Sequence, residues 1–295
     1  MHIGPTEILD TFAEAFAAYY VRLVITAADD HWLAVALQAT TGYGTSIIGC
    51  DAEVGLEQRL PQSATPDGRP GAAVLMFSRS QDLVSQAAAS RVGQCVLTCP
   101  TTACFNGLPA AAETCPLGDD VRHFGDGFEE RGSSFRWHVP VMDGQFVVDS
   151  VAGVARGVAG GNIIIQAETQ PIALAAALRA AGAIAPLAGV IAPFPGGVCR
   201  SGSKVGSQYH NLGASTAQDY CPTLRDRVES KLVAGATCAY EIVIDGVDQA
   251  AVTTAMRAAI EAAAGDGVLA IGAGNFGGQL GKIRLGLHDL FAVQP

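Results

Sequence analysis

Residues 238–272, CAYEIVIDGVDQAAVTTAMRAAIEAAAGDGVLAIG, decide the fold. Residues 238–245 alternate in the two-residue period of a strand, with Tyr240, Ile242 and Ile244 on one face and Glu241, Val243 and Asp245 on the other. Residues 248–264 read as a helix, with Asp248 placed to cap its first turn. Residues 268–272 return as a strand. The same order stands upstream: a β-rich run at 162–168 (NIIIQAE), an alanine-rich helix at 171–183 and a strand at 190–193. Strand, helix, strand, twice over, is the split βαβ pattern of a ferredoxin-like lobe. Residues 282–287 alternate again and add an edge strand.

The first half repeats the pattern. A strand at 20–26, a helix at 30–40 and a strand at 45–50 precede the turn-rich TPDGRPG of 65–71. A strand at 72–77, a helix at 82–92 and a strand at 94–99 follow it. Residues 109–132 are irregular, and 137–148 form a hairpin turning at Asp143–Gly144. The expected fold is α+β, with two similar ferredoxin-like (split βαβ) lobes, each a sheet packed with helices. Residues 1–149 make the first lobe and residues 150–295 the second.

The second lobe carries a Gly/Ser-rich loop over residues 193–223, PFPGGVCRSGSKVGSQYHNLGASTAQDYCPT. A connection of that length without regular structure points to a binding loop. Phe194, Val198, Val205, Tyr209, Leu212 and Tyr220 set it apart from a solvated, disordered tail. It holds Lys204, one of only three lysines in the chain, four residues from Arg200. Cations on a glycine-flanked loop suit the capture of an anionic group.

Bulk properties narrow the classes. The formal net charge of -10 and pI of about 5.0 argue against nucleic acid as a partner. Mean hydropathy is +0.29, yet the most apolar window, 171–198, is broken by Arg179, Pro186, Pro193 and Pro195, so no membrane span is expected. Charged residues make up only 16% of the chain, which a large buried subunit interface would account for. The N-terminus has no basic or apolar region typical of a signal peptide, which predicts a cytoplasmic protein. Eight cysteines include no CxxC pair, and six histidines include no HxH or HExxH, so no metal is expected.

Several motifs carry chemistry. Residues 272–277 match GxGxxG, but the next residues, GQLGKIRLGLHD, alternate like a strand and provide no helix N-terminus for a pyrophosphate. Lys282 after Gly281 makes no P-loop, since Ile283 follows it. Asn275, and Asn162 in GVAGGN, sit in glycine turns that either offer amide donors to a polar ligand or simply pack tightly. Glu241 interrupts an otherwise apolar strand. Buried, its carboxyl has a raised pKa and can donate a proton; on an edge facing water, it is an ordinary carboxylate. No GxSxG is present and no cysteine has a nearby histidine. For acyl transfer, direct attack on a positioned donor is therefore favoured over a covalent acyl-enzyme.

Taken in order, TFAEAF (11–16), VRLVITAA (21–28), TGYGTSIIGC (41–50), TPDGRPG (65–71), GQCVLTCPTTA (93–103), HFGDGF (123–128), GVAGGN (157–162), PFPGG (193–197), SGSKVGS (201–207), YEIVIDGV (240–247) and AGNFGG (273–278) resemble formylmethanofuran:tetrahydromethanopterin formyltransferase. The blocks span nearly the whole chain. Within that resemblance, archaeal members are richer in lysine and glutamate, so the three lysines and abundant alanine here look like the bacterial form, found in a formyltransferase/hydrolase complex of formaldehyde oxidation.

The resemblance implies a two-lobed homotetramer with no tightly bound cofactor, which moves a formyl group between N5 of tetrahydromethanopterin and the amine of methanofuran or an analogue. It maps the glutamate that stabilises the tetrahedral intermediate onto Glu241. It places Ser201 and Lys204 in a coenzyme-binding loop, and by motif position it suggests Asn275, Asp67 and Arg69 as further substrate-binding residues. It also implies contact with other subunits of a formyltransferase/hydrolase complex, for which residues 109–122 and the tail 292–295 are candidates. The competing reading is a non-catalytic, pterin-binding assembly subunit; intact Glu241 and SGSKVGS favour the enzyme.

Overall fold

The computed structural model describes residues 1–202, 204–279 and 281–292. The chain divides into two compact units, residues 18–157 and residues 1–17 together with 158–295. The division differs from the expected boundary at 149/150, because the first 17 residues join the second unit.

In the unit of residues 18–157, the strand Phe12–Thr26 contributes its C-terminal half and pairs antiparallel with Gly71–Ser78, from Tyr19 opposite Ser78 to Thr26 opposite Gly71. Gly71–Ser78 pairs in turn with Glu53–Leu60, and Ala103–Asn106 lies on the other side of Phe12–Thr26. The helices Asp30–Thr41 and Gln81–Arg91 are capped by the side chains of Asp29 and Ser80. Both cover one face, where Val21, Leu23, Ile25, Val74 and Met76 meet Leu33, Leu37, Val84 and Ala88. The sheet order follows the ferredoxin-like plan, with the first strand between the third and fourth. The hairpin Arg136–Val141 and Gly144–Asp149 extends the sheet beyond Ala103–Asn106.

Two expected strands are not formed here. Residues 45–50 are turns, in which Ser46 O accepts from Gly49 N and Cys50 N; the strand starts only at Glu53. In place of the strand at 94–99, Val92–Val96 continue the preceding helix through a wider turn, with Leu97 N donating to Val92 O, and residues 97–99 are turn and bend. The VGQCVLTC run alternates like a strand, but Val84, Ala88, Val92 and Val96 recur every four residues on one buried helical face.

The other unit repeats the plan. Its strand Val151–Ala167 pairs with Cys238–Gly246 on one side and Val268–Gly272 on the other, and Val190–Ile191 pairs with the outer edge of Cys238–Gly246. The helices Gln170–Ile184 and Gln249–Ala263 lie on one face, over Ile163, Ile165, Tyr240, Ile242 and Ile244. Asp248 caps the second helix by accepting from Ala251 N at 2.8 Å, as expected. Alanines at 173, 176, 177 and 180 are fully buried and let the helix approach closely. The N-terminal residues complete this sheet. Thr6–Ile8 pairs in parallel with Val268–Gly272, and Phe12–Ala15 pairs with Ile283–Gly286. No helix among the described residues is long and apolar enough to cross a membrane.

Candidate active site

One row of residues crosses the helix-free face of the unit of residues 1–17 and 158–295. Glu241 lies opposite Ile164, and Ile164 lies opposite Gly272. On the outer edge Cys199 lies opposite Glu241. Directly opposed residues of neighbouring strands point to the same side, so Glu241 projects away from the helices on which Ile242 and Ile244 pack. The alternation read from the sequence assigned these faces correctly.

The roof over this face comes from the two glycine-rich segments. The connection from Ile191 to Cys238 reaches back over it: Cys199 N donates to Glu241 O at 2.8 Å, and Val233 N donates to Gln166 Oε1 at 2.8 Å. From the opposite side comes the turn after Val268–Gly272. Asn162 grips its residue Gly274, accepting from Gly274 N at 2.6 Å and donating to Gly274 O at 3.1 Å. A Cβ added at Gly274 would stand 3.7 Å from Glu241 Oε1, so the turn backbone comes close beside the carboxyl. Glu14 Oε2 fixes the far end of the turn by accepting from Phe276 N at 2.8 Å.

Electrostatics follow from this enclosure. Burial pushes the Glu241 carboxyl up to about 7, partly opposed by a hydrogen bond from the Cys199 side chain. The Cys199 thiol is pushed up to about 11 by its own burial and by the Glu241 charge, while Ser201 stabilises its ionised form. Tyr220 is pushed up to about 12 by burial and by the charges of Asp219 and Glu241. Glu241 is therefore the member of this cluster that changes charge near neutral pH. A half-protonated carboxyl beside the uncharged Ile164 and Gly274 can donate to an oxygen that develops negative charge.

The other expected site residues fall in different settings. Ser201 adjoins the cluster, its Oγ 3.5 Å from Cys199 Sγ. Lys204, on the short strand Lys204–Val205 of the same loop, donates to Gln218 Oε1 at 3.0 Å. Asn275 lies in the roof turn, but its amide donates to Thr11 Oγ1 and Phe12 O at 3.1 and 3.0 Å, which ties the turn to its own sheet. Asp67 and Arg69 belong to the unit of residues 18–157. Asp67 Oδ2 accepts from Thr26 Oγ1 at 2.7 Å and Arg69 Nε at 2.8 Å, and the Arg69 guanidinium also donates to Thr26 Oγ1 and Thr101 O. Each nitrogen of that guanidinium makes a donation, which ties the 65–71 turn to Thr26 and Thr101. The sequence reading did not include Cys199, Tyr220 or Gly274 in the site. Gly274 lies inside the AGNFGG block, and the linear signal of Cys199 and Tyr220 is their place in the loop that carries SGSKVGS. Among the described residues no three His, Cys, Asp or Glu side chains gather as metal ligands.

Comparison with known proteins gives a consistent picture. The family model described as formylmethanofuran-tetrahydromethanopterin formyltransferase matches residues 1–141, and the model of the proximal lobe of that family matches residues 144–290. The formyltransferase of this name from Methanopyrus kandleri is 46% identical, over 99% of this chain and all of its own length. The one from Methylococcus capsulatus is 45% identical, over the same shares of each chain. Among solved structures, the Methanosarcina barkeri formyltransferase superposes with a TM-score of 0.91 at 43% identity, covering 99% of this chain and 100% of that one. A chain of the formyltransferase/hydrolase complex from Methylorubrum extorquens, solved with methylofuran, superposes with a TM-score of 0.91 at 39% identity and 99% coverage of each chain.

Proposed function

Because the chain belongs to the formylmethanofuran–tetrahydromethanopterin formyltransferase family, we propose that it transfers a formyl group between the amine of methanofuran, or an analogue, and N5 of tetrahydromethanopterin, with Glu241 as the proton donor to the tetrahedral intermediate. The carrying observation is a carboxyl held near half-protonation on the helix-free face, next to a backbone turn.

The N5 lone pair attacks the formyl carbon, a new C–N bond forms and the carbonyl π electrons move to oxygen. Protonated Glu241 donates to that oxygen and stabilises it. Collapse returns the oxygen's proton to Glu241, restores the carbonyl, breaks the bond to the methanofuran nitrogen and leaves the formyl group on N5; the proton lost from N5 is balanced by the one gained by the departing amine. The reverse transfer passes through the same intermediate. Both nitrogens are positioned by the protein, so no covalent acyl-enzyme is required.

Lys204 suits an anionic part of a coenzyme. Among the described residues its hydrogen-bond partner is Gln218, which occupies one of three ammonium donors and leaves the others to a carboxylate or phosphate. Ser201 sits two residues from Cys199 and supports the loop that carries them both. Asp67 and Arg69 contribute by holding the shape of the 65–71 turn. A formyltransferase/hydrolase complex is the setting of one structural relative. Association of this chain with itself as a homotetramer, and with hydrolase subunits, fits its low charge content. Of the tail 292–295 expected to make such contacts, residues 293–295 lie outside the described residues.

The test is formyl transfer between formyl-tetrahydromethanopterin and methanofuran by the purified protein and by Glu241→Gln. The expected result is turnover by the parent protein and a kcat loss of about 100-fold or more in the variant, with KM little changed. Undiminished turnover in Glu241→Gln would remove the proposed acid. A folded parent protein that binds the pterin without turnover, alone and with partner subunits, would favour the assembly-subunit reading.

A further inference from the structure

We propose that Cys199 is a positioning residue for Glu241: its thiol donates to one carboxyl oxygen and so fixes the other as the proton-bearing oxygen that faces the reacting centre. The inference rests on the reading of Glu241 as the acid.

The geometry begins in the backbone. Cys199 N donates to Glu241 O at 2.8 Å, and Glu241 N donates to Cys199 O at 3.0 Å. An antiparallel pair that exchanges both bonds holds its Cβ atoms roughly 5 Å apart on the same face, within reach of a thiol and a carboxyl. That register sets the Cys199 thiol and the Glu241 carboxyl side by side on one face, where a donating thiol lowers the proton affinity of the carboxyl. Cys199 is 1% exposed, so its thiol does not spend its proton on solvent. Its sulfur also lies 3.5 Å from Ser201 Oγ. The cluster therefore reads as a short chain, with the Ser201 hydroxyl donating to sulfur and the thiol donating to the carboxyl.

The chemistry fixes the direction of donation. A thiol buried beside a carboxylate keeps its proton at neutral pH, which makes Cys199 a poor nucleophile and a constant donor. Groups facing Glu241 from the other elements leave the role to Cys199. Tyr220, from the turn Gln218–Tyr220, is the other titratable group whose proton affinity Glu241 raises. Asn162 and Ile164 from the central strand, and Gly274 from the roof turn, are uncharged. A thiol is a weak donor, so it orients the carboxyl while leaving most of the burial-driven rise in its pKa in place.

The test uses full-length protein labelled with 13C at glutamate carboxyl carbons, with the Glu241 resonance assigned by its absence in Glu241→Gln. Titrations between pH 5 and 9 are compared for the parent protein, Cys199→Ala and Cys199→Ser. Loss of the donor is expected to move the Glu241 midpoint upward by about half a pH unit in Cys199→Ala, with Cys199→Ser restoring it to the parent value or below. In parallel, kcat for formyl transfer falls about 3- to 10-fold in Cys199→Ala, KM changes less than about twofold, and Cys199→Ser recovers most of the loss. An unmoved midpoint in folded Cys199→Ala overturns the proposal. Should that variant fail to fold, Cys199→Ser decides: a midpoint at or below the parent's with kcat retained supports the role, and a raised midpoint with kcat lost refutes it. Full turnover in Glu241→Gln sinks the acid reading, and a midpoint that still shifts then marks the Cys199 contact as structural only.

Discussion

Asn162 holds Gly274 by both ends of its amide, with Oδ1 accepting from Gly274 N at 2.6 Å and Nδ2 donating to Gly274 O at 3.1 Å. This two-way grip ties the roof turn to the central strand one turn of pleat away from Glu241. Asn162→Ala leaves two backbone groups of the turn without their partner, at a cost of about 1–3 kcal/mol. The expected outcome is a lower urea midpoint and a kcat reduced about 10-fold. Asn162→Asp keeps the acceptor but sets a second carboxylate beside Glu241, which drives the Glu241 midpoint higher still. A 13C titration that finds it unmoved, with stability retained in Asn162→Ala, would show that the grip does not shape the site.

Gly274 itself separates crowding from stability. A Cβ there would meet Asn162 Oδ1 at 3.4 Å, Ile164 Cδ1 at 3.6 Å and Glu241 Oε1 at 3.7 Å, all ordinary contacts. Gly274→Ala is thus expected to fold with stability within about 1 kcal/mol of the parent. Its methyl narrows the space beside the carboxyl, where a formyl oxygen has to approach. A several-fold loss of kcat/KM without a loss of melting temperature is the expected pattern. Unchanged kinetics would place the reacting carbon elsewhere along the Glu241 side chain.

Much of the second unit was legible because its elements are set by local pattern. Ile242 and Ile244 announce the strand by period two, and Asp248 announces the helix by its cap. The strand Phe12–Thr26 was only half legible, since its alanine-rich first half is held extended by pairing with Ile283–Gly286, far away in sequence. Glu241 stood out as a carboxyl in an apolar run. Its neighbour Cys199 did not, because their contact depends on a loop folding back onto a strand edge, and no linear spacing encodes that. Asn275, singled out by a glycine motif, shows what the motif leaves open: of the two roles the sequence allowed, its amide makes packing contacts with Thr11 and Phe12. Glycine-rich blocks identified the region, and only tertiary pairing sorted its donors.

The Glu241 carboxyl should govern how the rate depends on pH. Its folded pKa is raised by burial to about 7, and donation to the intermediate requires the protonated form. The expected kcat is flat below about pH 6 in the titration limb assigned to Glu241 and falls toward tenfold per pH unit above about pH 8. In Glu241→Gln that limb disappears and only the low residual rate remains. A variant that retains the same descending limb would assign the ionisation to another group.

The same group links stability to pH. In the unfolded chain Glu241 loses its proton near the ordinary 4.5, whereas the native fold retains it to about 7. Between those values the native state binds the extra proton, so this contribution to stability is fully present below 4.5 and is lost as pH rises through about 7. Glutamine has no proton to lose. Glu241→Gln should therefore gain about 2–3 kcal/mol relative to the parent on going from pH 4.5 to pH 8.5, reduced by any water that reaches the half-buried carboxyl. Urea unfolding at the two pH values measures the difference, and parallel stability curves would place the carboxyl in solvent.

Arg91 supplies the counterpart in the unit of residues 18–157, where an ionic group serves the fold alone. Only 6% exposed, it donates from Nη1 to Thr40 O and Gly42 O at 2.7 and 2.9 Å, and from Nη2 to Asp51 Oδ1 at 2.6 Å. It thus closes the C-terminal end of the helix Asp30–Thr41 and anchors the turn that precedes Glu53–Leu60. Because the Asp51 side chain is 41% exposed and can rehydrate, Arg91→Met is expected to cost about 2–4 kcal/mol, below the range for a fully buried pair. Arg91→Lys retains the charge but loses the fork that reaches two carbonyls and a carboxylate together, so its loss should be intermediate. The expected signature is a lowered urea midpoint with an unchanged slope. Combining Arg91→Met with Asp51→Asn should cost less than the sum of the two, since the ion pair is removed only once and the remainder belongs to the carbonyls of Thr40 and Gly42. Full additivity, or a lysine variant as stable as the parent, would assign the stabilisation to packing of the arginine stem rather than to its hydrogen bonds.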